Sequence, residues 1–187
     1  KAEMFTGIIQ EMGTIKKTDK NTLEIFSKLN KKYFKKGGSI AVNGACLTVE
    51  SYENGIFKAS LGPETLKATN LGGLKVEDKV NLEAPLTLNT LISGHLVSGH
   101  VDFKAEVFES APNLKIKIPK QYLKFMPLKG SVTVNGVSLT IMKSEDLLEL
   151  MIIPETMKST NLALLKKEDY VNIELDLIAK YLDKLKS

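Results

Sequence analysis

The side chains able to do chemistry in this 187-residue chain sit in two short, nearly identical stretches and in one spacer between them. Val42-Asn43-Gly44-Ala45-Cys46-Leu47-Thr48-Val49 carries the sole cysteine, with a threonine two residues on. Val134-Asn135-Gly136-Val137-Ser138-Leu139-Thr140-Ile141 repeats the stretch with serine in place of the cysteine. The spacer His95-Leu96-Val97-Ser98-Gly99-His100 holds both histidines. Thiols and hydroxyls donate and accept hydrogen bonds, and histidine is the side chain suited to move a proton near neutral pH. A lone cysteine is ordinarily a small buried hydrophobe. A reactive one also needs a cation or a helix N-terminus beside it. One cysteine forms no internal disulfide, and with two histidines it falls short of the four ligands of a structural zinc site. The reading is metal-free and cytoplasmic.

Strands must position these groups. Asn-Gly between alternating runs is the strongest short hairpin signal, because a type I′ turn needs positive φ twice. Side chains then alternate across the strand. Val137, Leu139 and Ile141 form a core row, leaving Ser138 and Thr140 together on the other face; Ala45, Leu47 and Val49 likewise leave Cys46 and Thr48. Five residues apart on a strand, His95 and His100 face opposite ways, so at most one enters any given site.

The repetition extends well beyond the octet. Gly38 to Val49 aligns with Gly130 to Ile141, and PETLKATNLGGLKVEDKVN from Pro63 aligns with PETMKSTNLALLKKEDYVN from Pro154. MFTGII, Met4 to Ile9, corresponds to LVSGHV, Leu96 to Val101. Two long copies are not a solenoid, which needs more and shorter repeats. The organisation expected is two homologous domains, residues 1–94 and 95–187, joined through Ala84 to Gly94.

Further strands are expected at Thr22 to Ser27, Ile56 to Leu61, Lys79 to Glu83, Val101 to Phe108, Leu114 to Ile118, Leu147 to Ile153 and Tyr170 to Leu175. So many short antiparallel strands suggest barrels or sandwiches. Each Pro-Glu-Thr opens a short helix, Pro63 to Leu71 and Pro154 to Leu162, that would plug or cap its barrel. The end differs: Leu177, Ile178, Tyr181, Leu182 and Leu185 recur at helical spacing. A helix of this length needs a packing partner, its own barrel or the same helix of other subunits.

Composition narrows the function. The chain is 43% hydrophobic and 26% charged, which excludes disorder. No apolar run approaches a membrane span, and no secretory signal is visible. The net charge of +4 comes from lysine alone, with no arginine and no tryptophan. Arginine reads phosphate and guanine edges, and aromatics stack on bases, so nucleic acid is a poor fit. Glycine-rich phosphate loops, nucleophile elbows and His-Glu-x-x-His motifs are absent.

Taken together and in order, MFTGII, NGACLTV, PETLKATNLG, GHLVSGHVD, NGVSLTI and PETMKSTNL resemble riboflavin synthases of the alpha-chain type, from Met4 to about Asp176. The resemblance implies an all-β fold of two tandem six-stranded Greek-key barrels with short helices and a C-terminal helix at about 177–187. It implies a transferase acting without cofactor on two molecules of 6,7-dimethyl-8-ribityllumazine. One gives a four-carbon unit to the other, yielding riboflavin and 5-amino-6-ribitylamino-uracil. It implies a homotrimer gathered by the C-terminal helices, with each active site between the first barrel of one chain and the second barrel of a neighbour. Association with lumazine synthase is a further implied partnership.

Carried over by position, the first pocket would use Gly7, Ile8 and Ile9, Cys46, Leu47 and Thr48, and Ser60, Leu61, Gly62, Pro63, Glu64 and Thr65. The second would use Gly99, His100 and Val101, Lys129, Ser138, Leu139 and Thr140, and Ile152, Ile153, Pro154, Glu155, Thr156 and Met157. The candidates for chemistry are Ser39, Cys46, His100 and Thr140, with Asp176 as a supporting carboxylate. Some relatives have two adjacent cysteines where this chain has Ala45-Cys46, and some have aspartate at Asn135, so neither feature is needed. The acceptor molecule is expected in the Cys46 pocket and the donor in the other. The competing expectation is a non-catalytic lumazine or flavin binder of the antenna type, which a degraded polar row in one copy would have favoured.

Overall fold

The computed structural model describes residues 3–186. Six strands of the first copy, β1 (Glu11–Asp19), β2 (Thr22–Phe26), β3 (Ser39–Val42), β4 (Ala45–Glu53), β5 (Ile56–Ser60) and β6 (Lys79–Glu83), close into a barrel ordered β1-β2-β5-β4-β3-β6. The second copy repeats it with β7 (Phe103–Glu109), β8 (Asn113–Lys117), β9 (Ser131–Val134), β10 (Val137–Ser144), β11 (Leu147–Met151) and β12 (Tyr170–Leu175). All pairings are antiparallel, and bulges at equivalent places, such as Val49/Ser51 and Ile141/Lys143, bend the strands toward closure. Strand β1 has no counterpart among the expected elements. Its buried residues Gly13, Thr14 and Ile15 run consecutively before an exposed tail, so no alternation marks it.

Core packing follows the alternation. Val137, Leu139 and Ile141 are buried in the second core, as Ala45, Leu47 and Val49 are in the first, while Thr48 and Thr140 are exposed. The two Pro-Glu-Thr helices, α1 (Pro63–Ala68) and α2 (Pro154–Ser159), are shorter than expected. Thr69 and Thr160 stop them with extended backbone, each hydroxyl donating to the carbonyl four residues back. A 3-10 turn follows each helix, driving fully buried Leu71 and Leu162 into the barrels as plugs.

The barrels meet at their Asn-Gly turns. Asn43 and Asn135 have positive φ, and the two glycines pack backbone to backbone: a Cβ on Gly44 would lie 2.7 Å from the Gly136 nitrogen. Six asparagines clasp the junction. The Asn81 side-chain amide donates to the Asn135 carbonyl (2.9 Å) and that of Asn172 to the Asn43 carbonyl (2.8 Å). Asn161 N–H donates to Asn81 Oδ1 (2.7 Å), and Asn70 N–H to Asn172 Oδ1 (2.6 Å). The pseudo-twofold symmetry written in the sequence is therefore also spatial.

Helix α3 (Leu177–Lys186) starts where Asp176 Oδ1 accepts the Ile178 N–H at 2.8 Å, an N-cap. Lys180 reaches Asp102 at 3.0 Å and Lys124 reaches Asp183 at 2.6 Å, tying the helix to the second barrel. Its stripe stays open within one chain: Ile178, Tyr181, Leu182 and Leu185 are 55–83% exposed. Ser187 lies outside the described residues.

Candidate functional site

Two straps organise the polar rows. Phe5 and Val97 pair antiparallel, with N–H to carbonyl distances of 2.8 and 3.0 Å, and so join the leading segments of the two copies. Beyond that pair each strap turns on a buried carboxylate. Glu83 accepts the Thr6 N–H (2.7 Å), the Thr6 hydroxyl (2.6 Å) and the Gly7 N–H (3.0 Å). Glu174 accepts the Ser98 N–H (2.6 Å), the Ser98 hydroxyl (2.8 Å) and the Gly99 N–H (3.0 Å). Burial pushes both carboxyl pKa values up, against the pull of these donors.

The turned straps present the carbonyls of Gly7 and Gly99 to the polar rows, and they do so crosswise. Ser138 N–H donates to Gly7 O and Cys46 N–H to Gly99 O, each at 2.8 Å. Ile9 packs on the second core and Val101 on the first. This corrects the pocket membership expected from the sequence. Gly7, Ile8 and Ile9 belong with Ser138, and Gly99, His100 and Val101 with Cys46. The duplication tells which copy a segment comes from, whereas the hydrogen bonds decide which barrel it covers. Both glycines have φ near +75°, and a Cβ would lie 2.6 Å from Ser138 Cβ at Gly7 and 2.7 Å from Cys46 Cβ at Gly99. Only glycine combines that backbone with so close an approach.

In the first barrel Ser39 pairs with Thr48 and Ala41 with Cys46 across β3 and β4. Burial pushes the Cys46 thiol up; a hydrogen bond with the Ser39 side chain opposes this, and the charges of Glu3 and Glu174 add to the rise. The thiol is thus protonated at neutral pH, a proton donor rather than a standing thiolate. His100 follows Gly99 and is exposed, with its N–H 3.3 Å from Ser98 Oγ. The Ser60 hydroxyl donates to Glu50; Leu61 is buried, Gly62, Pro63 and Glu64 are exposed, and Thr65 caps the turn through its carbonyl.

In the second barrel Ser138 is half-buried and Thr140 exposed. Lys129 is exposed at a positive-φ turn, its N–H donating to Ile141 O at 2.9 Å. Ile152 is buried; Ile153, Pro154 and Glu155 are exposed; Thr156 and Met157 are half-buried. Asp176 acts as the cap of α3. His95, which was given no role from the sequence, lies against this row: Nδ1 is 2.7 Å from Ser138 Oγ and Nε2 3.2 Å from Thr133 Oγ1. Glu83 and Glu174 were read only as residues of strands.

A cleft of about 800 Å³ opens beside the asparagine clasp, lined by Asn70, Lys79, Lys104 and Tyr170 among others, and none of the expected site residues borders it. Of the chemistry-bearing groups Ser39, Cys46 and Ser138 are half-buried, and Thr48, His100 and Thr140 are exposed. Among the described residues no cluster of His, Cys, Asp and Glu has the makings of a metal site, and no helix is long and apolar enough to cross a membrane.

Two repeats of the lumazine binding domain match, over residues 6–85 and 98–176, each spanning one strap and one barrel. The chain belongs to the lumazine-binding family. The riboflavin synthase of Actinobacillus pleuropneumoniae is 39% identical, and that of Bacillus subtilis 41%, each alignment covering 96% of this chain and 88% of the relative. Among solved structures, LumP complexed with riboflavin superposes with a TM-score of 0.79 at 28% identity, covering 91% of this chain and 98% of that one. LumP complexed with 6,7-dimethyl-8-(1'-D-ribityl) lumazine gives 0.75 at 29% identity over the same shares. The lumazine-binding fold thus accounts for both halves, and for the straps as part of each repeat.

Proposed function

We infer that this chain is a riboflavin synthase, converting two molecules of 6,7-dimethyl-8-ribityllumazine into riboflavin and 5-amino-6-ribitylamino-uracil. The observation that carries the reading is the completeness of both half-sites. Each has its polar row, its crossing strap and its Pro-Glu-Thr turn, in a chain closely related over nearly its whole length to riboflavin synthases. A reaction between two identical molecules is served by two homologous pockets facing each other. Orientation alone can supply about 7–11 kcal/mol toward joining two reactants.

Open half-sites need a cover, and the proposed cover is a second chain. The exposed stripe Ile178, Tyr181, Leu182 and Leu185 supports assembly through α3, and we assign it to a homotrimer. The Cys46 half-site of one chain then faces the Ser138 half-site of its neighbour. Backbone amides and carbonyls suit the uracil edge of the pteridine, and the hydroxyls of Thr48, Ser138 and Thr140 suit the ribityl chain. The donor's C7 methyl is acidic because its anion is delocalised over the pteridine. A modest base therefore suffices, with a nucleophile or water adding to the acceptor ring. His100, Thr140, Ser39 and Cys46 are the proposed groups for proton traffic, Asp176 a supporting carboxylate, and the acceptor is assigned to the Cys46 side. Association with lumazine synthase and a cytoplasmic location complete the proposal.

Incubating the protein with 6,7-dimethyl-8-ribityllumazine and following riboflavin absorbance tests it. Turnover is expected. Tight binding with unchanged lumazine fluorescence would instead establish the second reading, a non-catalytic lumazine or flavin binder, which the likeness to LumP keeps in view.

A further inference from the structure

The second polar row contains a contact that the first lacks. His95 sits on the copy-two strap where copy one has Glu3, and the two behave differently. Glu3 accepts the Ser39 N–H at 3.2 Å, a backbone contact at the edge of the first row. His95 instead inserts its ring between two hydroxyls, Ser138 Oγ on β10 at 2.7 Å and Thr133 Oγ1 on β9 at 3.2 Å. Ser138 and Thr133 are cross-strand neighbours in register, so one imidazole bridges a pair of facing side chains. Thr133 is buried at 1% exposure, and the Ser138 backbone N–H is already committed to Gly7 O. The Ser138 hydroxyl is therefore the free member of the bridge.

We propose that His95 is a positioning residue for Ser138, fixing its hydroxyl as a hydrogen-bond acceptor toward a ligand hydroxyl or N–H in the second pocket. A neutral imidazole has one donor and one acceptor nitrogen. In the proposed tautomer, Nε2–H donates to the buried Thr133 Oγ1 and Nδ1 accepts the Ser138 proton. The Ser138 oxygen then turns its lone pairs outward. Burial holds the ring's pKa below the ordinary histidine value, with Asp176 pulling the other way, which agrees with a neutral ring. Cys46 at the equivalent place has Ser39 as its side-chain partner among the described residues and remains a weak donor. The consequence is a division of hydrogen-bond polarity: the second pocket accepts from its guest at the point where the first donates.

The proposal rests on lumazine as the ligand, and its test separates the two claims. The dissociation constant of 6,7-dimethyl-8-ribityllumazine is measured by fluorescence titration, alongside steady-state kcat and KM, for His95→Ala, His95→Asn, His95→Gln and Ser138→Ala, and for the double variants. His95→Ala is expected to lower kcat/KM about tenfold, the size of one well-placed hydrogen bond. In the Ser138→Ala background the same change should cost less than twofold. His95→Asn, which can place an amide oxygen where Nδ1 was, should recover most of the loss. His95→Gln, which reaches the Nε2 position instead, should not. Equal costs in the two backgrounds, or equal recovery by Asn and Gln, would overturn the assignment. Thermal unfolding identifies any variant that fails to fold, and the Asn and Gln pair then decides. If the unaltered protein binds lumazine without turnover, the enzymatic reading fails, while the titration still decides the role of His95.

Discussion

The two polar rows occupy equivalent places on equivalent barrels, yet their surroundings differ. Around Cys46 lie Ser39 and the exposed His100, and burial, helped by the charges of Glu3 and Glu174, pushes the thiol pKa up. Around Ser138 lie the inserted ring of His95 and the buried Thr133. What supports the rows is the same in both copies: a buried glutamate, a left-handed glycine and a strap from the other copy. The difference teaches that duplication kept the scaffold under each polar row and varied the side chains set upon it.

The shared scaffold should break symmetrically. Gly99→Ala brings a Cβ to 2.7 Å from Cys46 Cβ at φ +75°, and Gly7→Ala does the same to Ser138 at 2.6 Å. Each should cost about 3 kcal/mol from strain and overpacking and abolish turnover. Denaturant midpoints check the first effect and riboflavin formation the second. Unequal costs would show that one strap carries more than the other.

Differences in chemistry should show next. Cys46→Ser makes the rows alike, and we expect single-turnover riboflavin formation to fall about 100-fold, the scale of a lost proton-transfer group. An unchanged rate would remove the thiol from the mechanism. Ser138→Cys, the reciprocal change, should not compensate.

Smaller effects follow for the carboxylates. Glutamine at position 83 puts an amide N–H against the N–H of Gly7, and at position 174 against that of Gly99. Either change should cost about 1–3 kcal/mol. Glu83→Gln should speed amide exchange at Ser138 and Glu174→Gln at Cys46, because the straps cross. The opposite pattern would refute the crossed arrangement.

The smallest contrast is in pH. His95 has a lowered pKa, so the unfolded chain binds a proton that the folded one does not. Its contribution is lost as pH falls below the free histidine value of about 6.5. Glu83 and Glu174 have raised pKa values, so the contribution linked to their protonation is present at low pH and lost as pH rises above the ordinary carboxylate range of about 4.3. Unfolding free energies measured across that span should lose the acidic-side decline in His95→Asn and the opposite trend in the two glutamine variants.

Much of the architecture was legible in the sequence because alternation is a local signal. The core and polar rows of β4 and β10 could be read residue by residue from VNGACLTV and VNGVSLTI. Strand β1 could not, since its buried residues are consecutive and a bulge interrupts it. The strap membership was hidden for a different reason. Gly7 and Gly99 reach their partners through backbone atoms, and a glycine marks a close approach without naming the strand it approaches. His95 was hidden because parity treats His95 to His100 as a strand, whereas the segment is mostly not strand and the alternation does not apply to it. The signal available was its spacing of 92 residues from Glu3, a polar residue on each strap at the same place.

The crossing of the straps also bears on where this protein came from. Each half lends its leading segment to the other, through Phe5 against Val97, Gly7 on Ser138 and Gly99 on Cys46. That is the geometry of a domain-swapped dimer whose two members have been fused. The connector is anchored at its start, where Ala84 is buried and the Leu86 N–H donates to Met4 O, and its largely exposed stretch from Thr87 to Ser93 then serves to raise local concentration. A chain cut there should stay assembled, and its two halves made separately should find each other again, because the contacts that hold them together do not run through the link.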